Sequence, residues 1–235
     1  MRAAAVILVL ILPALCSTAM AAEGRRTPFE IVRQLGDRLY AIGETTGREA
    51  DFLSAVEHAR KDLEDYAAAG GDPADFVERG PHGATPLLLA AEAGYGDIVA
   101  ELLKSARVAA SVNEVDQHGL SPWAYANFAL EEAIWVCNPT LFADPFKFVP
   151  RIVTRPYYLG GDEPPYRKTR RLLEAAGAKA DMAAAKQLWL DTCRLAKPES
   201  RRKVAESADL LATLEAEAGQ ALAAFQARQK KAPQQ

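Results

Sequence analysis

The chain has 235 residues, of which 49% are hydrophobic and 25% charged, and its formal net charge is −3. This length is sufficient for one good-sized domain or a short array of repeats. Because the chain is slightly acidic, it offers no electrostatic basis for binding nucleic acid, and we expect none among its partners.

The N-terminal segment has the pattern of a secretory signal peptide. Arg2 precedes an apolar run from Ala3 to Leu15, and Ala19-Met20-Ala21 supplies small residues where signal peptidase cuts. Residues 1–21 are therefore predicted to be removed, which takes the net charge from −3 to −4 (−3 minus 1) as Arg2 is lost. We expect a bacterial periplasmic protein with no membrane insertion after cleavage. An uncleaved anchor is disfavoured because the run falls short of roughly 20 apolar residues. A lipoprotein attached at Cys16 is also disfavoured, since Leu15 is not a small residue.

Two cysteines, Cys137 and Cys193, remain after cleavage. An even count in an oxidising compartment favours a disulfide bond between them. The bond would close a loop of 56 residues (193 minus 137) and add roughly 3–4 kcal/mol of stability. Two separate buried thiols are the alternative.

The segment 22–80 is predicted to form helices that cap the N-terminal end of the fold. Thr27-Pro28-Phe29-Glu30 has the residues of a capping box, and Thr46-Gly47-Arg48-Glu49 repeats that pattern. An apolar stripe at helical spacing follows, and Gly70-Gly71-Asp72-Pro73 ends the second helix. The stripe consists of Phe52, Val56, Ala59, Leu63 and Tyr66.

A repeat begins next. The stretch His82-Gly83-Ala84-Thr85-Pro86-Leu87 is followed 36 residues later by His118-Gly119-Leu120-Ser121-Pro122-Trp123. With the residues between them, these stretches resemble the ankyrin-repeat family, whose period is about 33 residues. The positions that carry the resemblance are Gly83, Thr85, Pro86, Leu87, Ala90, Ala91, Gly94, Ile98, Val99, Leu102, Leu103, Val112, Asn113, Asp116, Gly119, Ser121 and Pro122.

The physical role of each of these residues follows from its chemistry. Thr85 can cap a helix that starts at Pro86, and Gly94 permits the turn between paired helices. Ala90 and Ala91 allow close approach, and Leu102 and Leu103 fill the contact between repeats. Asn113 and Asp116 suit the turn of a projecting finger. The chain departs from the family where Leu88 and Ala124 replace a His, and where extra residues lie within Ser105 to Ala110.

The repeats are expected over 81–180, as units 81–116 and 117–180. In the second unit, Tyr125 to Trp135 is predicted to continue an inner helix, with an outer partner delayed until Tyr166 to Ala178. An insertion at 138–165 separates the two and contains six prolines.

The segment 181–229 is predicted to form C-terminal capping helices. Asp181 caps a helix through Leu195, and Ser200 begins one long helix to about Arg228. The narrow apolar stripe of this helix is expected to pack on the repeat stack. The stripe consists of Val204, Leu211, Leu214, Ala218, Leu222 and Phe225. A coiled-coil dimer seam is the alternative, but we expect a monomer. Residues 230–235 are predicted to be a disordered tail, and the fold class is all-α, a short ankyrin-repeat solenoid with finger hairpins.

No catalytic grouping stands out, and the chain has no HExxH, phosphate loop or G-x-S-x-G. His58 is expected on a solvated helix face. His82 and His118 occupy equivalent repeat positions, which explains them without a metal. Glu131-Glu132 is expected at a solvated edge, and Cys137 in a buried apolar context. We therefore expect no enzyme activity, no cofactor and no metal site.

The expected function is non-enzymatic binding of a protein partner, since the resemblance implies binding through the fingers and the concave face. The finger residues are Pro81, His82, Glu114, Gln117 and His118, and the insertion contributes Phe142, Phe146, Arg151 and Tyr157. The insertion aromatics alternatively only cover the end of the stack. Exported relatives resemble immunity proteins or accessories of oxidative-stress defence. The alternative is that the protein uses the insertion as an enzyme or as a structural component of an envelope assembly.

Overall fold

The computed structural model describes residues 25–137 and 163–231. Within these two ranges the regular structure is entirely helical, which confirms the all-α prediction. The α-helices are α1 (Pro28–Glu44), α2 (Glu49–Ala68), α3 (Pro86–Glu92), α4 (Gly96–Leu102), α5 (Ala106–Ala110), α6 (Pro122–Phe128), α7 (Leu130–Cys137), α8 (Pro165–Ala175), α9 (Met182–Thr192), α10 (Pro198–Glu206) and α11 (Leu210–Lys231). The predicted signal peptide, 1–21, lies outside the described residues.

The helices stack in two rows. In the inner row α1 packs on α3, α3 on α6 and α6 on α9, and in the outer row α2 packs on α4 and α4 on α8. The pairs α1/α2, α3/α4 and α6/α8 are thus three successive helical hairpins, each covering the apolar face of the next. Beyond them α10 packs on α9 and α11, and α7 lies against α11.

Every helix of the inner row begins at a residue whose side chain caps it. The caps are the hydroxyls of Thr27, Thr85 and Ser121 and the carboxylate of Asp181, and each accepts a hydrogen bond from the backbone N–H three residues on. These bonds satisfy donors that a helix start otherwise leaves without a partner. Local chemistry therefore sets where each inner helix begins.

The core forms two clusters and consists mostly of the predicted apolar positions. The stripe of α2 is buried, and so are Ala90, Ala91, Ile98 and Leu102 of the first repeat, whereas Leu103 is half-buried. A second cluster joins α6, α7 and α8 to the C-terminal helices around the fully buried Trp189. The stripe residues Val204, Leu211, Leu214 and Ala218 are buried there, so the terminal helix packs on the stack as predicted.

Several predicted helix boundaries are wrong, each for a local reason. The cap of α2 is Arg48 rather than Thr46, whose hydroxyl instead donates to Asp51 at 2.5 Å. The inner helix of the second unit stops at Phe128, because Ala129 adopts a left-handed conformation (φ 48°) and α7 starts afresh.

The C-terminal helices also differ from the prediction. The helix predicted to run from Ser200 is two helices, since the carboxylate of Asp209 accepts from Ala212 N–H at 3.2 Å and starts α11. Helix α9 ends at Thr192 rather than Leu195, while α11 extends to Lys231, beyond the predicted start of the tail.

Cys137 and Cys193 are joined as a disulfide, with their Cα atoms 4.3 Å apart. The bond ties the end of α7 to the residue that follows α9, and so fixes one end of the insertion to the inner row. None of the helices within the described ranges combines the length and apolar character needed to cross a membrane.

Candidate functional site

The two fingers are closed by equivalent backbone hydrogen bonds. Gly80 N–H donates to the carbonyl of Ala84 at 2.8 Å, and 36 residues later Asp116 N–H donates to that of Leu120 at 3.1 Å. Gly83 and Gly119 share a φ of 77°, in the left-handed region that glycine adopts without strain. Each finger is therefore a tight closed loop rather than the pair of strands implied by a hairpin.

The fingers are also fastened to each other. Gln117 N–H donates to the carbonyl of His82 at 3.0 Å. Arg79 reaches across from the first finger and donates to Glu114 at 2.6 Å and to the carbonyl of Val115 at 2.9 Å. These bonds hold the two tips as one unit, so their side chains form a surface of defined shape.

The structure brings together all five finger residues predicted to contact a partner. All five are exposed, namely Pro81, His82, Glu114, Gln117 and His118. The His82 and His118 rings face each other across the two tips, with centroids 6.0 Å apart. Exposed side chains on a rigid backbone are suited to binding, because little conformational freedom is lost when a partner docks.

Asp116 anchors the second finger to the inner row. Its carboxylate accepts from the N–H groups of His118 at 2.8 Å and Leu120 at 3.0 Å, and from the hydroxyl of Tyr125 at 2.7 Å. Burial on its own raises the pKa of Asp116, but these hydrogen bonds outweigh burial and hold the pKa below its usual value. Asp116 is therefore held as a carboxylate at neutral pH.

Glu92 and Tyr125 lie beside Asp116 where the inner helices meet the second finger. Burial raises the pKa of Glu92 on α3, and the nearby Asp116 charge adds to this effect. Burial and the hydrogen bond to Asp116 likewise raise the pKa of Tyr125 on α6. Neither Glu92 nor Tyr125 was predicted to lie at a functional site, because only the stacking of α3 on α6 brings them beside the second finger.

Asn113 does not sit in the turn of the finger, where the sequence analysis placed it. Its amide donates to the carbonyl of Gly177 at 3.0 Å and its oxygen accepts from Lys179 N–H at 2.7 Å. Asn113 thus binds the loop after α8 to the second finger, in the way that Arg79 binds the first finger to the second. The role of Arg79 was also not predicted. Arg79 precedes Val115 by 36 residues, so the two residues occupy equivalent positions in consecutive repeats.

The described residues that flank 138–162 lie at the end of the stack opposite the fingers. Helix α8 ends beside Asn113, on the finger side, and its 11 residues place Pro165 about 16 Å away. Cys137 is bonded to Cys193, which follows the 11-residue α9 that starts at Asp181 on the finger side. The candidate contacts Phe142, Phe146, Arg151 and Tyr157 lie outside the described residues.

Glu131 and Glu132, predicted to lie at a solvated edge, are instead packed at the interface of α7 and α11. Glu131 is buried, and its N–H donates to the hydroxyl of Tyr166 at 3.1 Å. Burial, followed by the charges of Glu215 and Glu131, raises the pKa of Glu132 to about 7. The kink at Ala129 turns this pair inward, which a continuous helix would not have done.

A groove of about 640 Å³ lies on the outer side of the stack, between α2, α4 and α5. Its walls include Leu63, Ala67, Pro73 and Phe76, and Lys104 and Arg107 stand at its rim. Lys104 is paired with Glu101 at 2.7 Å. The elements around the groove are far apart in the sequence, so no local pattern could have indicated it.

Within the described ranges, no group of three or more His, Cys, Asp or Glu residues could enclose a metal ion. His58 lies on α2, where its Nδ1 contacts the carbonyl of Ser54 at 2.6 Å, away from the other histidines.

A scan of protein-family models matches residues 82–117 to the ankyrin repeat. The match spans one repeat, from the first finger through α3, α4 and α5 to the tip of the second finger. Neither the curated proteins nor the solved structures gave a match.

Proposed function

We propose that this chain, in which residues 82–117 match the ankyrin repeat, is an exported, non-enzymatic protein that binds a protein partner through its finger tips. One observation carries this proposal. Two consecutive fingers are fastened together and present five exposed side chains on one surface.

The inner-helix face extends that surface. Glu92 and Asp116 lie next to the second finger, so a partner that contacts His118 and Gln117 also meets these two carboxyl groups. A partner with cationic side chains at the matching position fits this charge pattern.

The insertion is a second candidate contact region in this proposal. The described residues on either side of 138–162, Cys137 and Pro165, lie at the end of the stack opposite the fingers, so a partner bound only at the finger tips does not contact these two residues. Variants of the two regions are therefore expected to act independently of each other.

Two features support export to an oxidising compartment such as the bacterial periplasm. Residues 1–21 have the pattern of a cleaved signal peptide. Cys137 and Cys193 lie within bonding distance of each other, and such bonds persist mainly outside the cytosol.

Affinity purification of the tagged protein from the native cell envelope, followed by mass spectrometry, tests the proposal. The double variant Gln117→Ala/His118→Ala is expected to lower partner recovery about tenfold or more, as loss of central contacts does. Phe142→Ala tests the insertion separately. Arg202→Ala, on α10 with a side chain 66% exposed, is the matched control. Unchanged recovery with both the finger and the insertion variants contradicts the assignment.

Two cellular roles are compatible with this function. As an immunity protein, the chain would neutralise a delivered toxin, and deletion of its gene would be lethal only when that toxin is present. As an accessory of oxidative-stress defence, its loss would sensitise cells to peroxide with no toxin present. Growth of a deletion strain under the two conditions distinguishes them.

A further inference from the structure

His82 and His118 occupy the same position in two consecutive repeats, one residue before a glycine with a φ of 77°. His82 has a φ of 58° that His118 does not share, yet both side chains meet at adjacent finger tips. Their ring centroids are 6.0 Å apart and the ring planes differ by 32°.

This spacing suits two imidazoles that share one metal ion. Metal–nitrogen bonds of about 2.0–2.1 Å place the ring centres of two such ligands about 5–6 Å apart, depending on the angle at the metal. Side-chain rotation alone can therefore bring a nitrogen of each ring onto a common ion, without any movement of the backbone.

The backbone that carries the two rings is already fixed. The carbonyl of His82 accepts from Gln117 N–H at 3.0 Å, and His118 N–H donates to Asp116 at 2.8 Å. The Arg79–Glu114 ion pair, at 2.6 Å, holds the same two fingers together. A metal ion would thus bind to a preorganised pair, at a small cost in conformational entropy.

The nearby carboxylates are committed to other partners. Asp116 accepts from two backbone N–H groups and from Tyr125, and Glu114 is paired with Arg79. The pair thus supplies two ligands, and because both residues are exposed, the remaining coordination positions face solvent.

We propose that His82 and His118 together bind one divalent transition-metal ion at the finger tips. Imidazole suits Zn²⁺, Ni²⁺ and Cu²⁺, and Cu²⁺ is bound most tightly of the three. The open positions hold water in the free protein and accept a donor side chain from a docked partner. This last step rests on the function proposed above, whereas metal binding by the free protein does not.

Titration of the purified protein, free of any polyhistidine tag, with CuCl₂ in a non-coordinating buffer tests the site. Calorimetry is expected to show one equivalent bound, and electron paramagnetic resonance to show two coordinated imidazole nitrogens. His82→Asn and His118→Asn should each weaken binding about tenfold or more, since even loss of groups that only orient a ligand costs that much. Asn is chosen because it tolerates the left-handed backbone of His82, whose φ is 58°.

His58→Asn, on α2, is the matched control and should leave binding unchanged. Circular dichroism checks that each variant keeps its fold. Absence of stoichiometric binding, or binding that both finger variants retain, overturns the proposal. Partner recovery with and without a chelator is measured separately. If recovery depends on the finger residues but not on metal, the metal bridge to the partner is overturned while finger binding stands.

Discussion

Glu132 gives the protein a testable pH dependence. It lies on α7 against α11, partly buried, with the carboxylates of Glu215 and Glu131 nearby. Arg167 pairs with Glu215 at 2.6 Å. Burial and these two negative charges raise the pKa of Glu132 from 4.5 to about 7. We perturb this site with Glu132→Gln, which removes the charge and keeps the shape.

The sign follows from linkage. The folded protein holds this proton more tightly than the unfolded chain does, so its contribution to the free energy of unfolding is complete below pH 4.5 and is lost as the pH rises through about 7. One pH unit is worth about 1.4 kcal/mol, so the difference (7 minus 4.5) gives at most about 3.5 kcal/mol. Solvent near the partly exposed carboxyl lowers this, and we expect about 2 kcal/mol.

Urea unfolding at pH 5 and pH 7.5 measures the effect. The wild-type protein should lose about 2 kcal/mol of stability over this interval relative to Glu132→Gln, and the variant should be the more stable of the two at pH 7.5. Glu199→Gln, on α10 with a side chain 69% exposed, is the control and should follow the wild type. Equal pH dependence in the wild type and Glu132→Gln would refute the assignment of a buried, protonated carboxyl.

Four further perturbations test the packing. Replacing both cysteines of the disulfide with Ala should lower the free energy of unfolding by about 4 kcal/mol, because the bond closes a loop between residues 56 positions apart. Denaturant titration under non-reducing conditions measures this loss. Gly94→Ala should cost about 1–3 kcal/mol, because φ is 68° and the added Cβ would meet the Tyr166 ring at 3.1 Å. Gly219 lies on α11 with open space around it, so Gly219→Ala should instead stabilise the protein by about 0.5–1 kcal/mol. Melting temperatures of Gly94→Ala and Gly219→Ala that shift in the same direction would contradict this reasoning. Arg170→Met should lower the free energy of unfolding by about 1–3 kcal/mol, because it leaves the amide oxygen of the fully buried Asn127 without the donor that lies 3.2 Å away. A denaturation midpoint equal to that of the wild type would show that this bond is dispensable.

The parts predicted well depend on neighbouring residues in the chain. Thr27, Thr85 and Asp181 start helices because a side-chain oxygen lies three residues before an N–H that lacks a partner. Leu102 and Ile98 are buried because they recur on one helical face. Such patterns are complete within a few turns of chain, so sequence reasoning finds them.

The errors arose where a distant element decides the local conformation. Ala129 carries no signal for a left-handed backbone, yet α7 must leave the inner row there to reach α11. Asp209 looks like any polar residue in a helix, but it starts α11 and binds Arg170 of α8 at 2.8 Å. Glu132 reads as a surface residue until that kink turns it inward.

The sequence by itself determined the helical repeat, its start at each capped helix and the pair of cysteines available for a bond, since these depend on residue type and spacing. Only the tertiary structure decided which residues form a surface. Stacking of the repeats set His82 beside His118, bound Asn113 to Gly177 and placed the described residues that flank 138–162 opposite the fingers. Contacts between residues 36 or more positions apart are set by how helices pack, and no local pattern encodes that distance.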